Sequence, residues 1–265
     1  MQSEARYEPG KTAFRDYDEA PEKVKELYRL NHQNQTFDYV VSQQAKYRPG
    51  GQESLSMWES LERLNELVDD SDPDTDLPQI QHALQTAEKI RQAGGPDWMQ
   101  LAGLIHDAGK MLCFCGEPQW AVVGDTFPVG CAWSDKIVYH EFFSANPDRL
   151  RPEFQTDLGV YEEGCGLDQV RISWGHDEYL YRVLKDSKLP AAALAMVRFH
   201  SFYAWHREGA YVRLTNASDV EQLEWVRAFN VHDLYSKSDG ELNVVELRPH
   251  YQRLIDLYLP SQIPW

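Results

Sequence analysis

The chain has few cysteines, few basic residues and no long apolar run, and each shortage excludes something. Four cysteines in 265 residues, Cys113, Cys115, Cys131 and Cys165, supply one close pair and no second pair, which argues against a thiolate zinc site. No run of about 18 apolar residues exists to span a bilayer. The opening MQSEARYEPGKTAFRDYDEA lacks the apolar stretch and cleavage site of a signal peptide, so a cytoplasmic protein with reduced thiols is expected. Lys and Arg number 26 against 42 Asp and Glu, a formal net charge of -16, and no basic cluster is available to track a phosphate backbone. Nucleic acid and membrane are therefore not expected partners, whereas a small molecule is compatible. There is no G-x-S-x-G, and GDTFPVG (124–130) fits neither nucleotide-binding glycine pattern. In DSDPDTD, the aspartates Asp72, Asp74 and Asp76 mimic the start of a calcium loop. Leu77 and Ala83 then stand where Gly and Glu are required, so an EF-hand is rejected.

What is present is an ordinary globular composition, 42% hydrophobic and 26% charged, patterned mainly as helix. Apolar spacing predicts one long or two short helices over 21–46. A capping box, Ser56 with Glu59, opens a helix through SMWESLERLNELVDD whose stripe is Met57, Leu61, Leu64 and Val68. QIQHALQTAEKIRQAGG is closed by Gly94 and Gly95, and Pro96 suits the first turn of the next helix. From about Gly116 to Gly166 the Gly, Pro and Trp content predicts loops, with room for a short hairpin. Helical patterning resumes in LDQVRISWGHDEYLYRVLK, in the segment beginning at Pro190, after a second capping box, Ser218 with Glu221, and finally over Pro249 to Tyr258. No internal repeat or linker is evident, so the expectation is one mainly α domain over 1–265, with residues 1–12 a loosely ordered tail and the protein a monomer.

GLIHDAGK (103–110) places His106, Asp107 and Lys110 among core-like residues, where unpaired polar groups cost several kcal/mol. The helical segments each offer one or two possible ligands: His82, His106 with Asp107, His176, His200 and Asp233. Four imidazoles and two carboxylates without a thiolate favour iron or manganese, with zinc open, and exceed what one tetrahedral zinc takes. Two metals bridged by Asp107 use the set better. Lys110, four residues after His106, falls on the same helical face and within reach of a metal-bound oxygen. Taken singly, each histidine is more often a hydrogen-bonded core residue, the reading given to His32, His140, His206, His232 and His250. Asp177 and Glu178 are candidates for orienting imidazoles.

The order His82, His106-Asp107, Asp233 resembles the HD-domain superfamily. SDPDTDLP, HALQTAE, GLIHDAGK, GEPQWAVVGDTFPVGC, SWGHDEYLY, RFHSFYAWH and DLYSK resemble the myo-inositol oxygenases, from AFRDY at residue 13 to the C-terminus. The resemblance implies an HD-type helical fold and a non-haem di-iron enzyme. Its reaction is the four-electron oxidation of myo-inositol by O2 to D-glucuronate, from a mixed-valent Fe(II)/Fe(III) pair whose bound superoxide takes the C1 hydrogen. It implies that His82, His106 and Asp233 hold one iron, that His176 and His200 hold the other, and that Asp107 bridges. Two substrate hydroxyls would chelate the iron of His176 and His200. Lys110 is implied as the catalytic lysine, and Arg15, Asp69, Asp70, Ser71, Gly124, Asp125, His200, Ser201 and Lys237 as further polyol contacts. His232 is not a ligand in that pattern. The competing readings are an HD-type metal-dependent phosphohydrolase, for which a more basic pocket is expected, and a metal-dependent sensor module.

Overall fold

A computed structural model describes residues 17, 20–47, 53–70, 78–235 and 241–265. Within them ten α-helices carry the fold: α1 (Glu22–Asn34), α2 (Phe37–Lys46), α3 (Met57–Arg63), α4 (Gln79–Gln92), α5 (Asp97–Ile105), α6 (His176–Leu184), α7 (Ala191–Phe199), α8 (Tyr203–His206), α9 (Ala217–Tyr235) and α10 (Val244–Tyr258). The mainly α expectation holds. None of these helices is long and apolar enough to cross a membrane. The proposed tail, residues 1–12, lies outside the described residues.

α4 packs along α5, α5 against α7, and α7 between α6 and α9, so that Leu84, Ile90, Leu101, Leu104, Met196, Val197 and Phe229 close one core. Gly103 lets α5 approach α4 closely, since a Cβ there would lie 2.8 Å from the Ile90 side chain and 3.1 Å from the Ala87 Cα. At the C-terminus of α4, Gly94 takes φ +78°, a left-handed conformation that suits glycine, and the Gly95 N–H returns to the Ile90 carbonyl at 2.9 Å.

Several boundaries differ from expectation, each for a local reason. The first helical stretch is split at Thr36, whose hydroxyl accepts the Tyr39 N–H and starts α2. The Ser56–Glu59 capping box forms, but α3 gives way to a 3-10 turn over Leu64–Glu66, and Val68 is exposed rather than part of the stripe. Pro96 sits one residue before the first turn, at the N-cap of α5. Residues 167–175 are not helical, because the Ser173 N–H donates to the Phe127 carbonyl and the Arg171 carbonyl accepts the Val129 N–H, and the helix starts only at His176. The second capping box gives way to an exchange two residues earlier. Asn216 Oδ1 accepts the N–H groups of Ser218 and Asp219, and Asp219 Oδ2 accepts that of Asn216. α10 begins five residues before Pro249, capped by Asn243.

The middle segment forms short 3-10 turns instead of a hairpin, with a single bridge from Pro128 to Ile172. The one two-stranded pairing among the described residues joins β1 (Ser54–Leu55) to β2 (Ile263–Pro264). All four cysteines are free thiols, as expected.

One regularity was not evident in the sequence as a string. α5 follows Pro96 and runs nine residues to His106, and α7 follows Pro190 and runs nine residues to His200. Counting back 24 residues from each histidine reaches His82 on α4 and His176 on α6. The fold thus presents one arrangement twice, with little sequence likeness between the copies.

Candidate metal centre

The two copies bring their histidines to a common point, and the helix ends explain how. His106 and His200 each cap an α-helix, where backbone carbonyls lack intrahelical partners. His106 Nδ1 donates to the Gly103 carbonyl at 2.8 Å, and His200 Nδ1 donates to that of Val197 at 3.0 Å. His176, the first residue of α6, donates Nδ1 to the Val122 carbonyl at 2.7 Å. In all three rings a proton is thereby fixed on Nδ1 and Nε2 is turned to the centre, so that Nε2 is the nitrogen a metal would take in place of a proton.

Asp107 lies between the two copies. Its Oδ2 is 3.5 Å from His106 Nε2 and 3.8 Å from His82 Nε2, while its Oδ1 is 3.3 Å from His176 Nε2 and 3.7 Å from His200 Nε2. Asp233, on α9, completes the first group, with Oδ1 3.1 Å from His82 Nε2 and 3.3 Å from His106 Nε2. Among the described residues, the sets His82–His106–Asp233, His106–Asp107–His200 and His176–Asp177–His200 each have donor atoms close enough to hold one ion. Phe229 stacks edge-on against His106 and His200 and closes the apolar side.

The electrostatics favour a cation. Burial alone would raise the Asp107 and Asp233 carboxyls, yet Lys110 and His106 beside the first, and His106 and His82 beside the second, hold both well below the usual carboxylate range. Burial likewise opposes charge on His176, but Asp177 and Asp107 outweigh it and push its pKa up to about 10. A buried cluster of acids this close together needs compensating positive charge.

Lys110 reaches the centre by a different geometry from the one expected. α5 ends at Ile105 and the chain tightens into a 3-10 turn over Ala108–Cys115, in which residues three apart eclipse. Lys110 therefore stands over Asp107, Nζ to Oδ2 2.9 Å, rather than over His106. It also meets Asp69 Oδ2 at 2.7 Å and Gln79 Oε1 at 3.2 Å, and the two aspartates keep it charged despite burial.

Of the other expected contacts, the Asp70 N–H is tied to Gln119 Oε1, and Asp125 accepts from the Tyr28 hydroxyl at 2.9 Å. Gly124, at φ +95°, and Asp125 follow Val122, the residue that holds His176. The Thr126 N–H donates to the Ser201 carbonyl at 3.0 Å, which brings Ser201 to the same side. Arg15, Ser71 and Lys237 lie outside the described residues.

Glu178 does not orient an imidazole. It is paired with Arg182 and Arg198. Asp177 faces Nε2 of His176 rather than Nδ1, because backbone carbonyls already occupy the Nδ1 sides. His32 donates to the Val138 carbonyl, and His206 contacts the His200 carbonyl through Nε2. His140 and His250 contact Trp133 O and Gln100 Oε1. His232, half-buried beside Asp233, has its pKa lowered by burial and by Lys89.

Gly109 is the residue that sequence reasoning passed over. A Cβ there would lie 2.1 Å from the His176 carbonyl oxygen, so only glycine lets the Asp107–Lys110 turn lie against the start of α6. Its place inside GLIHDAGK was the available signal.

The family model for myo-inositol oxygenase matches residues 21–265. A probable inositol oxygenase of Oryza sativa subsp. japonica is 50% identical over 262 residues, covering 96% of this chain and 85% of its own length. The inositol oxygenases of Danio rerio and Rattus norvegicus are 48% and 47% identical over 265 and 261 residues. They cover 98% and 96% of this chain and 95% and 92% of theirs. A match of this extent, over a chain whose fold brings four imidazoles and a shared carboxylate to one centre, shows that the chain belongs to the myo-inositol oxygenase family.

Proposed function

We propose that the protein is an inositol oxygenase that binds two iron ions and converts myo-inositol and O2 to D-glucuronate and water. The observation that carries this reading is the carboxylate of Asp107, one oxygen toward His82 and His106 and the other toward His176 and His200. His82, His106 and Asp233 would hold one ion, His176 and His200 the other, with Asp107 shared. The nitrogen and oxygen donor set, without thiolate, suits iron. When bound, the iron pair supplies O2 activation and the redox equivalents, chemistry no side chain here provides.

The chain supplies position and charge. The two ends of the centre are unequal. The first has two imidazoles, Asp233 and one Asp107 oxygen, whereas the second copy carries Ser201 where the first carries Asp107. The substrate is therefore assigned to the His176–His200 side, flanked by Gly124, Asp125 and Ser201. Lys110 balances Asp107 and Asp69, and its ammonium stands beside the bridge, where the N–H now given to Gln79, the longest of its three bonds at 3.2 Å, would pass to a ring hydroxyl or its oxyanion. Asp69, Asp70, Arg15, Ser71 and Lys237 complete the polyol contacts in this reading. Discriminating six similar hydroxyls takes several converging polar groups of this kind. A monomer working in the cytoplasm accords with it.

The phosphohydrolase alternative gains nothing from the site, where the one described lysine, Lys110, is already paired with Asp69 and Asp107, and the carboxylates of Asp177 and Asp233 nearby would repel a phosphate ester in the absence of metal. Oxygen uptake on adding myo-inositol to the iron-loaded protein, scored with product analysis, tests the proposal. One O2 consumed per D-glucuronate formed is expected, and phosphate-ester hydrolysis with no oxygen uptake would overturn it.

A further inference from the structure

The two helix pairs repeat at an offset of 94 residues, but their acidic residues do not. In the first pair Ala83 follows the first histidine and Asp107 the second, whereas in the second pair Asp177 follows the first histidine and Ser201 the second. Asp177 is completely buried and both its oxygens are turned to Ser201. Oδ2 accepts the Ser201 N–H at 3.1 Å, and Oδ1 accepts the Ser201 hydroxyl at 3.2 Å while lying 2.7 Å from His176 Nε2. The Ser201 carbonyl is held by Thr126 from the opposite side, so the residue is pinned through both backbone groups. A hydroxyl has one proton, and a carboxylate only accepts. With that proton given to Asp177, Ser201 Oγ faces a ligand with lone pairs alone.

We infer that Asp177 is a positioning residue that sets Ser201 as a hydrogen-bond acceptor. The site then requires a hydroxyl donor at the ring position next to Ser201 and rejects ligands presenting a ketone or ether oxygen there. The inference rests on the assignment of the His176–His200 side to substrate. It accounts for a buried carboxylate that is one of the few acids near the centre with no part in the proposed ligand set.

The test uses anaerobic, iron-loaded protein, with iron counted chemically and polyol affinity measured by calorimetric titration. The probes are myo-inositol and its mono-keto and mono-O-methyl analogues. Asp177→Asn keeps the shape but offers an amide N–H to Ser201 Oγ, releasing the serine proton toward the ligand. We expect full iron content, myo-inositol affinity reduced about tenfold or more, and a relative gain for one mono-keto analogue. Ser201→Ala should lower myo-inositol affinity and relieve the discrimination against that same analogue, and the double variant should bind like Ser201→Ala. The Ser201→Ala result stands on its own should Asp177→Asn fold poorly. Loss of iron in Asp177→Asn would make Asp177 a ligand and overturn the inference, as would unchanged affinity or single effects that multiply in the double variant. Wild-type protein that holds iron but binds no polyol would overturn the functional reading itself, a result visible before any variant is made.

Discussion

Lys110 has three N–H bonds and three acceptors around it, Asp107, Asp69 and Gln79, at 2.9, 2.7 and 3.2 Å. Removing it would leave two buried carboxylates unbalanced except by metal ions, which the proposed site supplies. Lys110→Met is therefore expected to retain both irons and lose activity by about 100-fold or more, read as iron content against turnover. Metal loss in that variant would move Lys110 from chemistry to site assembly. Asp107 differs, since each of its oxygens serves one histidine pair. Asp107→Ala should cost metal at both positions, and a variant retaining two irons would remove the bridge from the account.

The element that decides the geometry is the passage from α5 to the 3-10 turn at Asp107. Gly109 presses this turn onto the backbone of His176, where no Cβ fits. Gly109→Ala is expected to cost about 1–3 kcal/mol by overpacking and to separate Asp107 from the His176–His200 pair, seen as loss of one iron per chain. Gly159→Ala, whose Cβ would meet the Gly130 carbonyl at 1.9 Å away from the metal residues, provides the comparison: destabilised, with iron content unchanged. At this scale the sequence was readable where end signals and apolar stripes agreed, as at the start of α3 and over α4. It was not readable where long-range pairing overrode local pattern. Residues 167–175 look helical but join Phe127, and the 3-10 turn rests on α6 through Gly109, whose part is visible only once α6 is in place. The residues that converge on the centre were legible from motif order, yet the Nδ1 acceptors were not. Those are backbone carbonyls, which carry no sequence signature.

Across the whole molecule, a histidine outside the centre adds to its acid sensitivity. His32 is fully buried, stacked on Phe143, and burial lowers its pKa from the ordinary 6.5 to about 4. The unfolded chain takes up a proton near pH 6.5 that the folded chain refuses, so folding stability falls as pH drops below that value. Between pH 7.5 and 5 the loss from this one group is about 2 kcal/mol. Urea unfolding at the two pH values should show it, and His32→Gln should remove that part of the slope while lowering stability at neutral pH.

The same scale holds the duplicated helix pairs, which face each other across Asp107 and, in the proposed reading, define two ion positions in place of one. Anomalous diffraction at the iron edge, from crystals of the iron-loaded protein, examines this without relying on turnover. Two peaks are predicted, one bounded by His82, His106 and Asp233 and one by His176 and His200, with Asp107 between them. A single peak, or ions away from Asp107, would contradict the account.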